Sequence, residues 1–494
     1  MNVNASLHET HISIVFLVGD RAYKLKKPVH FPFIDLSTAE LREEACHREV
    51  ELNRRLAPDV YLGVASVSAP DGSGCDHLVV MRRMDDERRL STLVTQGRAS
   101  DADMVELARL IASFHSWADR SSTIAAAGRL GSMWRRWDAG FDEIAPFVGP
   151  VLDPGLETEI EHLVREYLAG RKHLFQSRID AGRIVDGHGD LLADDVFLLP
   201  DGPRALDCLE FDDRLRYGDV LADTAFLAMD LERLGAEPLA ARFLSAYREL
   251  SGETHPRSLE DHYIAFRAHI RAKVACLRGG PTGAAEARSL LDIAHRHLRR
   301  ARVRLVLVGG DPGAGKSTLA AGIGARTGWV VLRSDEVRKD LAGVGHTDRL
   351  TSGFGTGSYG AAATDATYAE LLERARRLLA DGESVILDAT WHDERQRLDA
   401  AALAWDTSSA LVELRGDAPA EIREARVAQR AQRDCDASDA SVEVARALAA
   451  TANPWPTATT VDTATELDSE RWTWVMNLLD GGTPAEPLEA DGAA

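Results

Sequence analysis

The segment GDPGAGKS, Gly310 to Ser317, has the residue types and spacing of a phosphate cradle. Its glycines let backbone N–H groups converge on phosphate oxygens. The N-terminus of a following helix adds its dipole, Lys316 neutralises β/γ charge, and Ser317 is placed to hold Mg2+. The residues expected to touch nucleotide are Gly310, Asp311, Pro312, Gly313, Ala314, Gly315, Lys316, Ser317 and Thr318. Such a loop requires a buried strand before it and a helix after it, and RLVLV and STLAAGI supply both. Two carboxylates follow at the ends of strand-like runs, Asp335 in VVLRSDEVRKDL and Asp388 in SVILDATW. In parallel α/β sheets ligands gather at the carboxyl ends of strands. Asp335 is therefore a candidate base for an acceptor hydroxyl, Arg338 a candidate grip on an anionic acceptor, and Asp388 a candidate for orienting Mg2+ or its water. The competing structural reading makes either Asp a helix N-cap. Arg426 and Arg430 lie four residues apart in EIREARVAQRAQRD and share a helix face. They are positioned to close over phosphates as phosphoryl leaves; the plainer reading is a solvated face paired with Glu421 and Glu424.

A second concentration of chemistry lies between Val185 and Asp213, where carboxylates crowd two apolar stretches, VFLL and ALDCLEF, that read as strands. Carboxylates held at strand ends must be satisfied, and a divalent cation is one candidate.

The elements that must position these groups change character along the chain. Residues 1–85 alternate as strands, with a turn at Gly19-Asp20, around one helix over STAELREEACHREVELNRRLA that Ser37 or Thr38 can cap. Residues 86–300 are mostly helical. From Val303 strand and helix signals alternate to about Leu479, the mark of an α/β layer structure. The tail, 481–494, is rich in Gly, Pro, Ala and acid and is expected to be disordered. With 494 residues, two or three domains are expected. The net charge of −20 argues against a broad footprint for nucleic acid or an anionic membrane. The five cysteines are scattered, with no C-x-x-C pair, which points to a reducing, cytoplasmic setting and away from zinc. No apolar run approaches the length of a membrane span, and ISIVFLV near the N-terminus lacks the flanks of a signal peptide.

The 302–480 segment resembles the small-molecule P-loop kinases near polynucleotide kinase, zeta-toxin and gluconate kinase. That group carries a strand-end Asp as base and late-helix arginines as a lid, matched here by Asp335, Arg338, Asp388, Arg426 and Arg430. HGDLLADDVFLL resembles the catalytic loop of aminoglycoside-phosphotransferase-like kinases, whose pattern is H-G-D, four residues, then Asn. His188, Gly189 and Asp190 match, which implies that Asp190 accepts or orients the acceptor proton. Position 195 is Asp where that family usually has Asn; both offer an oxygen to Mg2+. The family's strand-end metal Asp corresponds to Glu210, with Asp207 as the alternative. Asp223, in YGDVLADTAFL, is implied to brace the loop through backbone hydrogen bonds. AYKLKK resembles the strand with the phosphate-gripping lysine, best matched by Lys24; Lys26 shares its face, and Glu49 is its implied partner. No G-x-G-x-x-G precedes it. The whole chain resembles actinobacterial fusions of these two kinase types.

The resemblance implies an α+β protein-kinase-like bilobal domain (lobes 1–85 and 86–300), followed by an α/β P-loop NTPase domain with a parallel sheet. The implied activity is transfer of the γ-phosphate from ATP or GTP, with Mg2+, to a hydroxyl of a small molecule. Two alternatives stand beside it. One is a nucleotide-binding regulatory protein with a degenerate kinase-like half. The other is a polynucleotide-kinase-like enzyme, which would need a basic groove near Arg338 and Arg395.

Overall fold

The computed structural model describes residues 5–9, 12–31, 34–68, 75–346, 360–431, 446 and 452–481. The tail from 482 onward lies outside them. The chain packs as two units. The first comprises Met1–Glu161, Phe175–His255 and Leu259–Leu298, and the second His162–Leu174, Pro256–Ser258 and Arg299–Ala494. Two short pieces from before residue 300 thus belong to the second unit, which no compositional boundary announces. In one of them, buried Arg171 donates to the carbonyls of Leu379 (2.7 Å) and Thr407 (3.0 Å).

The first unit opens with a five-stranded antiparallel sheet in spatial order Ala5–Glu9, Ser13–Val18, Arg21–Lys26, Cys75–Arg82, Tyr61–Ser68. Gly19 makes the expected turn with φ +61°. The Ala39–Asn53 helix begins where a cap was expected, with the Thr38 hydroxyl accepting from Leu41 N at 3.3 Å. Cys46 and Val50 of that helix pack with Tyr61, Val79, Phe197 and Leu206, an apolar core that fastens the helix to the sheet and to the later hairpin. The rest of the unit is largely helical, including Asp101–Trp117, Leu130–Ile144, Val220–Arg233 and Glu237–Ser251. Val220–Arg233 is buried from Val220 through Leu231, so it runs through the core rather than along the surface.

VFLL forms a strand, Val196–Leu199, paired antiparallel with Gly202–Ala205. The expected strand over ALDCLEF is corrected. Strand structure ends at Ala205, and Asp207 takes the left-handed conformation with φ +63°, which a ladder residue cannot adopt.

The second unit holds a parallel sheet in order Val330–Arg333, Val385–Asp388, Arg304–Gly309, Ala410–Asp417, Thr459–Asp462. Arg304–Gly309 is the central strand and is buried along its whole length, as a strand covered on both faces must be. Its Val306 and Val308 pack with Leu319 and Ile323 of the Lys316–Thr327 helix and with Val475 of the Ser469–Leu479 helix. Among the described residues no helix is long and apolar enough to cross a membrane.

Candidate active sites

The loop after the central strand of the second unit has the conformation its glycines require. Gly313 has φ +86°, and a Cβ there would lie 2.4 Å from the Arg423 carbonyl oxygen. Gly315 has φ +81°, and its Cβ would lie 2.9 Å from that of Thr463. A side chain is excluded at both positions by torsion and by space. Lys316 opens the Lys316–Thr327 helix; it is only 8% exposed and has no ion-pair partner among the described residues. A buried ammonium without a carboxylate is costly unless an anion comes to it. Gly315, Lys316, Ser317 and Thr318 border a cavity of about 550 Å3, large enough for a nucleoside. Its far wall includes Trp472, over whose ring the Arg326 guanidinium lies at 3.8 Å.

Arg426 also lines this cavity, but its guanidinium is bound to backbone. It donates to the carbonyls of Gly313 (3.3 Å), Thr463 (2.7 Å) and Ala464 (3.0 Å). The geometry makes it a clamp on the loop. The backbone of Arg430 continues the Ala420–Ala431 helix, and its side chain lies outside the described residues. Three residues that sequence reasoning passed over complete the loop's setting. Asp311 lies 2.9 Å from Arg423 and 3.0 Å from His392, and Thr463 backs Gly315. The close His392 ring and the Arg423 charge hold the Asp311 carboxyl below its usual range, against burial. Arg423 sits one helical turn before Arg426, the one signal that could have found it.

Asp388 ends the Val385–Asp388 strand, opposite Val308 of the central strand. It is 3% exposed, and its Oδ2 accepts from Arg333 Nε at 3.3 Å. Its Oδ1 is buried with no hydrogen-bond partner among the described residues. An orphaned carboxylate oxygen at the carboxyl end of a parallel sheet suits a Mg2+ ion or its water. Neither Asp388 nor Asp335 is an N-cap: Asp335 lies inside the first turn of the Ser334–Ala342 helix, whose cap position is Arg333. Arg338 donates to Asp335 at 2.7 Å, so its charge is already directed at that carboxylate.

The first unit grips charge differently. Lys24 Nζ lies 2.9 Å from Glu49 and 2.6 Å from Asp207, while Lys26 Nζ lies 2.7 Å from Glu49 and 2.6 Å from Glu210. Glu49 and Lys26 are almost wholly buried. Burial opposes charge on Lys24, but Asp207 and Glu49 outweigh it and hold its pKa well above the ordinary value. Both lysines thus share one partner from the Ala39–Asn53 helix, as their common strand face demands.

Asp223 accepts from His188 N (2.6 Å) and Gly189 N (2.9 Å), while His115 Nε2 lies 3.2 Å away. Burial would raise its pKa; His115, His188 and those backbone donors overcome this and depress it strongly. The His188 ring reaches the Leu206 carbonyl at 3.0 Å, so it holds the loop rather than facing the cleft. Asp230 adds a brace on Ala193 N at 2.9 Å. Asp190, Asp195 and Asp207 repel one another. Burial, then Asp207 and Asp190, push Asp195 well above the usual carboxylate range, and burial also raises Asp190.

The assignment of Glu210 as metal ligand does not match this geometry. Its carboxylate is largely buried against Lys26. Asp207, in the left-handed conformation, is 53% exposed, and its charge pushes the Asp195 carboxyl upward. Among the described residues no three His, Cys, Asp or Glu side chains form a ready-made metal site. Two carboxylates rather than a full cage suit Mg2+, which keeps most of its ligands as water and phosphate oxygens.

A family model described as an AAA domain matches residues 305–455. Solved structures resembling parts of the chain include a putative kinase from Chloroflexus aurantiacus, 20% identical, covering 37% of this chain and 98% of that one, with TM-score 0.30. A choline/ethanolamine kinase family protein from Mesorhizobium loti is 14% identical, covering 61% and 87%, with TM-score 0.36. The GDP complex of aminoglycoside 2'-phosphotransferase-IIIa is 16% identical, covering 60% and 94%, with TM-score 0.37. The uncharacterized protein Rv2004c of Mycobacterium tuberculosis is 47% identical over 461 residues, 93% of this chain and 92% of that one. Its counterpart Mb2027c of Mycobacterium bovis matches to the same extent. By that likeness along nearly its whole length, the chain belongs to the family of these uncharacterized mycobacterial proteins.

Proposed function

We propose that the chain is a phosphotransferase with two nucleotide-binding modules, each transferring the γ-phosphate of ATP or GTP to a hydroxyl of a small molecule. The observation that carries this reading is the Gly310–Ser317 loop, with a buried Lys316 that has no ion-pair partner among the described residues, beside a nucleoside-sized cavity. In transfer, the acceptor oxygen forms a bond to the γ-phosphorus as the bond to the departing diphosphate breaks, and the hydroxyl proton passes to a carboxylate or to solvent. In the second unit Lys316 and the loop amides hold the phosphates, Asp335 is the candidate base, and Arg426 keeps the loop in shape. Ser317 and Asp388 would hold Mg2+ there; in the first unit Asp195 and Asp207 would. Bound Mg2+ would neutralise charge building on the phosphate oxygens. In the first unit Asp190 receives or orients the proton, Asp223 positions the loop through the His188 and Gly189 amides, and Lys24 meets the phosphates.

A second reading has one specific observation in its favour. Lys24 is held between Glu49 and Asp207 at hydrogen-bond distance, so phosphate must compete for it. On that reading the first unit senses nucleotide without transferring phosphate. The test is nucleotide turnover by the full chain against sugars, amino sugars, small alcohols and nucleosides, with wild type, Lys316→Ala and Asp190→Ala side by side. Two separable acceptor-dependent activities, one lost in each variant, are expected. Acceptor-dependent transfer that survives Lys316→Ala unchanged in every case removes the second unit from the proposal. Nucleotide binding by the first unit with no Asp190-dependent transfer selects the sensing reading.

A further inference from the structure

Buried arginines in the first unit are generally paired. Arg178 lies against Asp219 and Glu253, and Arg216 against Asp186. Three half-buried arginines, two of which act on Asp190, break this habit. Arg136, on Leu130–Ile144, donates to the Tyr217 carbonyl at 2.8 Å. Arg267, on Arg257–Arg278, donates Nε to the Ala222 carbonyl at 3.1 Å and lies 4.6 Å over the Phe226 ring. Arg271 follows one turn later on the same face. None of the three has a carboxylate at ion-pair distance among the described residues, in a chain of net charge −20 that is rich in carboxylates. Arg267 and Arg136 feel the cost: burial pulls both below the usual guanidinium range, Arg267 to about 10. The charges of Arg271 and Arg267 act directly on the Asp190 carboxyl, opposing the upward push of burial. Cations left unpaired at such cost beside a candidate base are a vacancy for negative charge.

We propose that the acceptor of the first unit is an anionic alcohol, a hydroxyl compound bearing a carboxylate or phosphate group, held by Arg136, Arg267 and Arg271 with its hydroxyl at Asp190. The inference rests on the phosphotransferase reading of Asp190. Arg267, fixed by the Ala222 carbonyl and the Phe226 ring, orients the anion. Arg271, with no ion pair among the described residues, supplies adaptable charge.

The test uses the full-length Lys316→Ala chain, in which the second unit's phosphate grip is removed. D-glycerate and glycerol 3-phosphate are titrated calorimetrically against neutral glycerol and cationic choline, and the same four serve as acceptors with Mg-ATP. Saturable binding of one or both anions, absent for glycerol and choline, is expected; which anion binds separates carboxylate from phosphate. Arg271→Gln should weaken that binding roughly 10- to 100-fold, the loss of one charge-assisted contact, without shifting the thermal melt. Arg271→Glu should abolish it. Preference for choline or glycerol, no binding of either anion, or anion binding indifferent to Arg271 overturns the proposal. Arg271-dependent anion binding with no transfer to any acceptor upholds the anion site while removing Asp190 from phosphotransfer.

Discussion

The two units hold negative charge by opposite means. In the second, one eight-residue loop, Gly310 to Ser317, brings together backbone N–H groups and a buried lysine that has no carboxylate partner among the described residues. In the first, Lys24 and Lys26 sit in a net of Glu49, Asp207 and Glu210 gathered from positions more than 180 residues apart in sequence. A backbone cradle is stiff because torsions make it, and it tolerates little change at its glycines. A side-chain net is held by mutual charge, so its worth depends on every partner being present and on how deeply each is buried.

The largest effect that sharpens this contrast is expected at Lys26. Lys26→Met leaves Glu49 short of a partner and Glu210 buried without one, and should destabilise the first unit by about 3–5 kcal/mol. Adding Glu210→Gln should recover a good part of that, whereas Lys24→Met, whose partner Asp207 is half exposed, should cost far less. Chemical denaturation of the three variants ranks them. Equal losses for Lys24→Met and Lys26→Met would show that burial does not organise the net.

In the second unit Asp388→Ala should leave nucleotide binding within a few-fold and lower Mg2+-dependent turnover by roughly 100-fold, the scale of losing a metal-orienting ligand. A Mg2+ titration of the rate is the readout, and an unchanged curve would take Asp388 out of the metal's reach. Next in size is Gly313→Ala. The added methyl meets the Arg423 carbonyl in a left-handed backbone, at a cost of about 1–3 kcal/mol, with nucleotide affinity falling alongside the thermal midpoint. Gly19→Ala, also at positive φ but with open space around it, should cost less and leave nucleotide affinity alone.

The smallest effect is a pH dependence. Asp195 has a raised carboxyl pKa in the folded chain. The native state therefore binds that proton more tightly than the unfolded state. The resulting stability is complete below the ordinary carboxylate range and lost as pH rises through the raised value. Asp195→Asn should remove that loss, gaining on the order of 1 kcal/mol at pH 8 without metal, and should flatten the melting profile between pH 4 and 8. A profile that Asp195→Asn leaves unchanged would place the titration elsewhere.

Backbone torsions build one site and long-range side-chain charge the other, and only the first kind is legible in a linear sequence. The phosphate loop is contiguous, and its strand and helix are announced by neighbouring residues. Asp223 was readable only through the resemblance of YGDVLADTAFL to a kinase segment, since the amides it accepts from lie more than thirty residues away. Glu210, expected as metal ligand with Asp207 as the alternative, is buried against Lys26, while Asp207, in the left-handed conformation, is the more exposed of the two. The ALDCLEF strand failed at that left-handed residue. Arg426 reads in sequence as a lid residue and folds as a clamp, because only packing shows that the Gly313, Thr463 and Ala464 carbonyls are waiting for it.

The sequence by itself determined the parallel α/β unit and its glycine-rich loop, since both are written in runs short enough for torsional preference and side-chain spacing to dictate. The tertiary structure alone decided which carboxylates are spent on lysines, which arginines go without one, and that residues 162–174 belong with the second unit. Those outcomes depend on distances between residues far apart in the chain, and electrostatic energy depends on such distances and on burial, neither of which a linear order of residues contains.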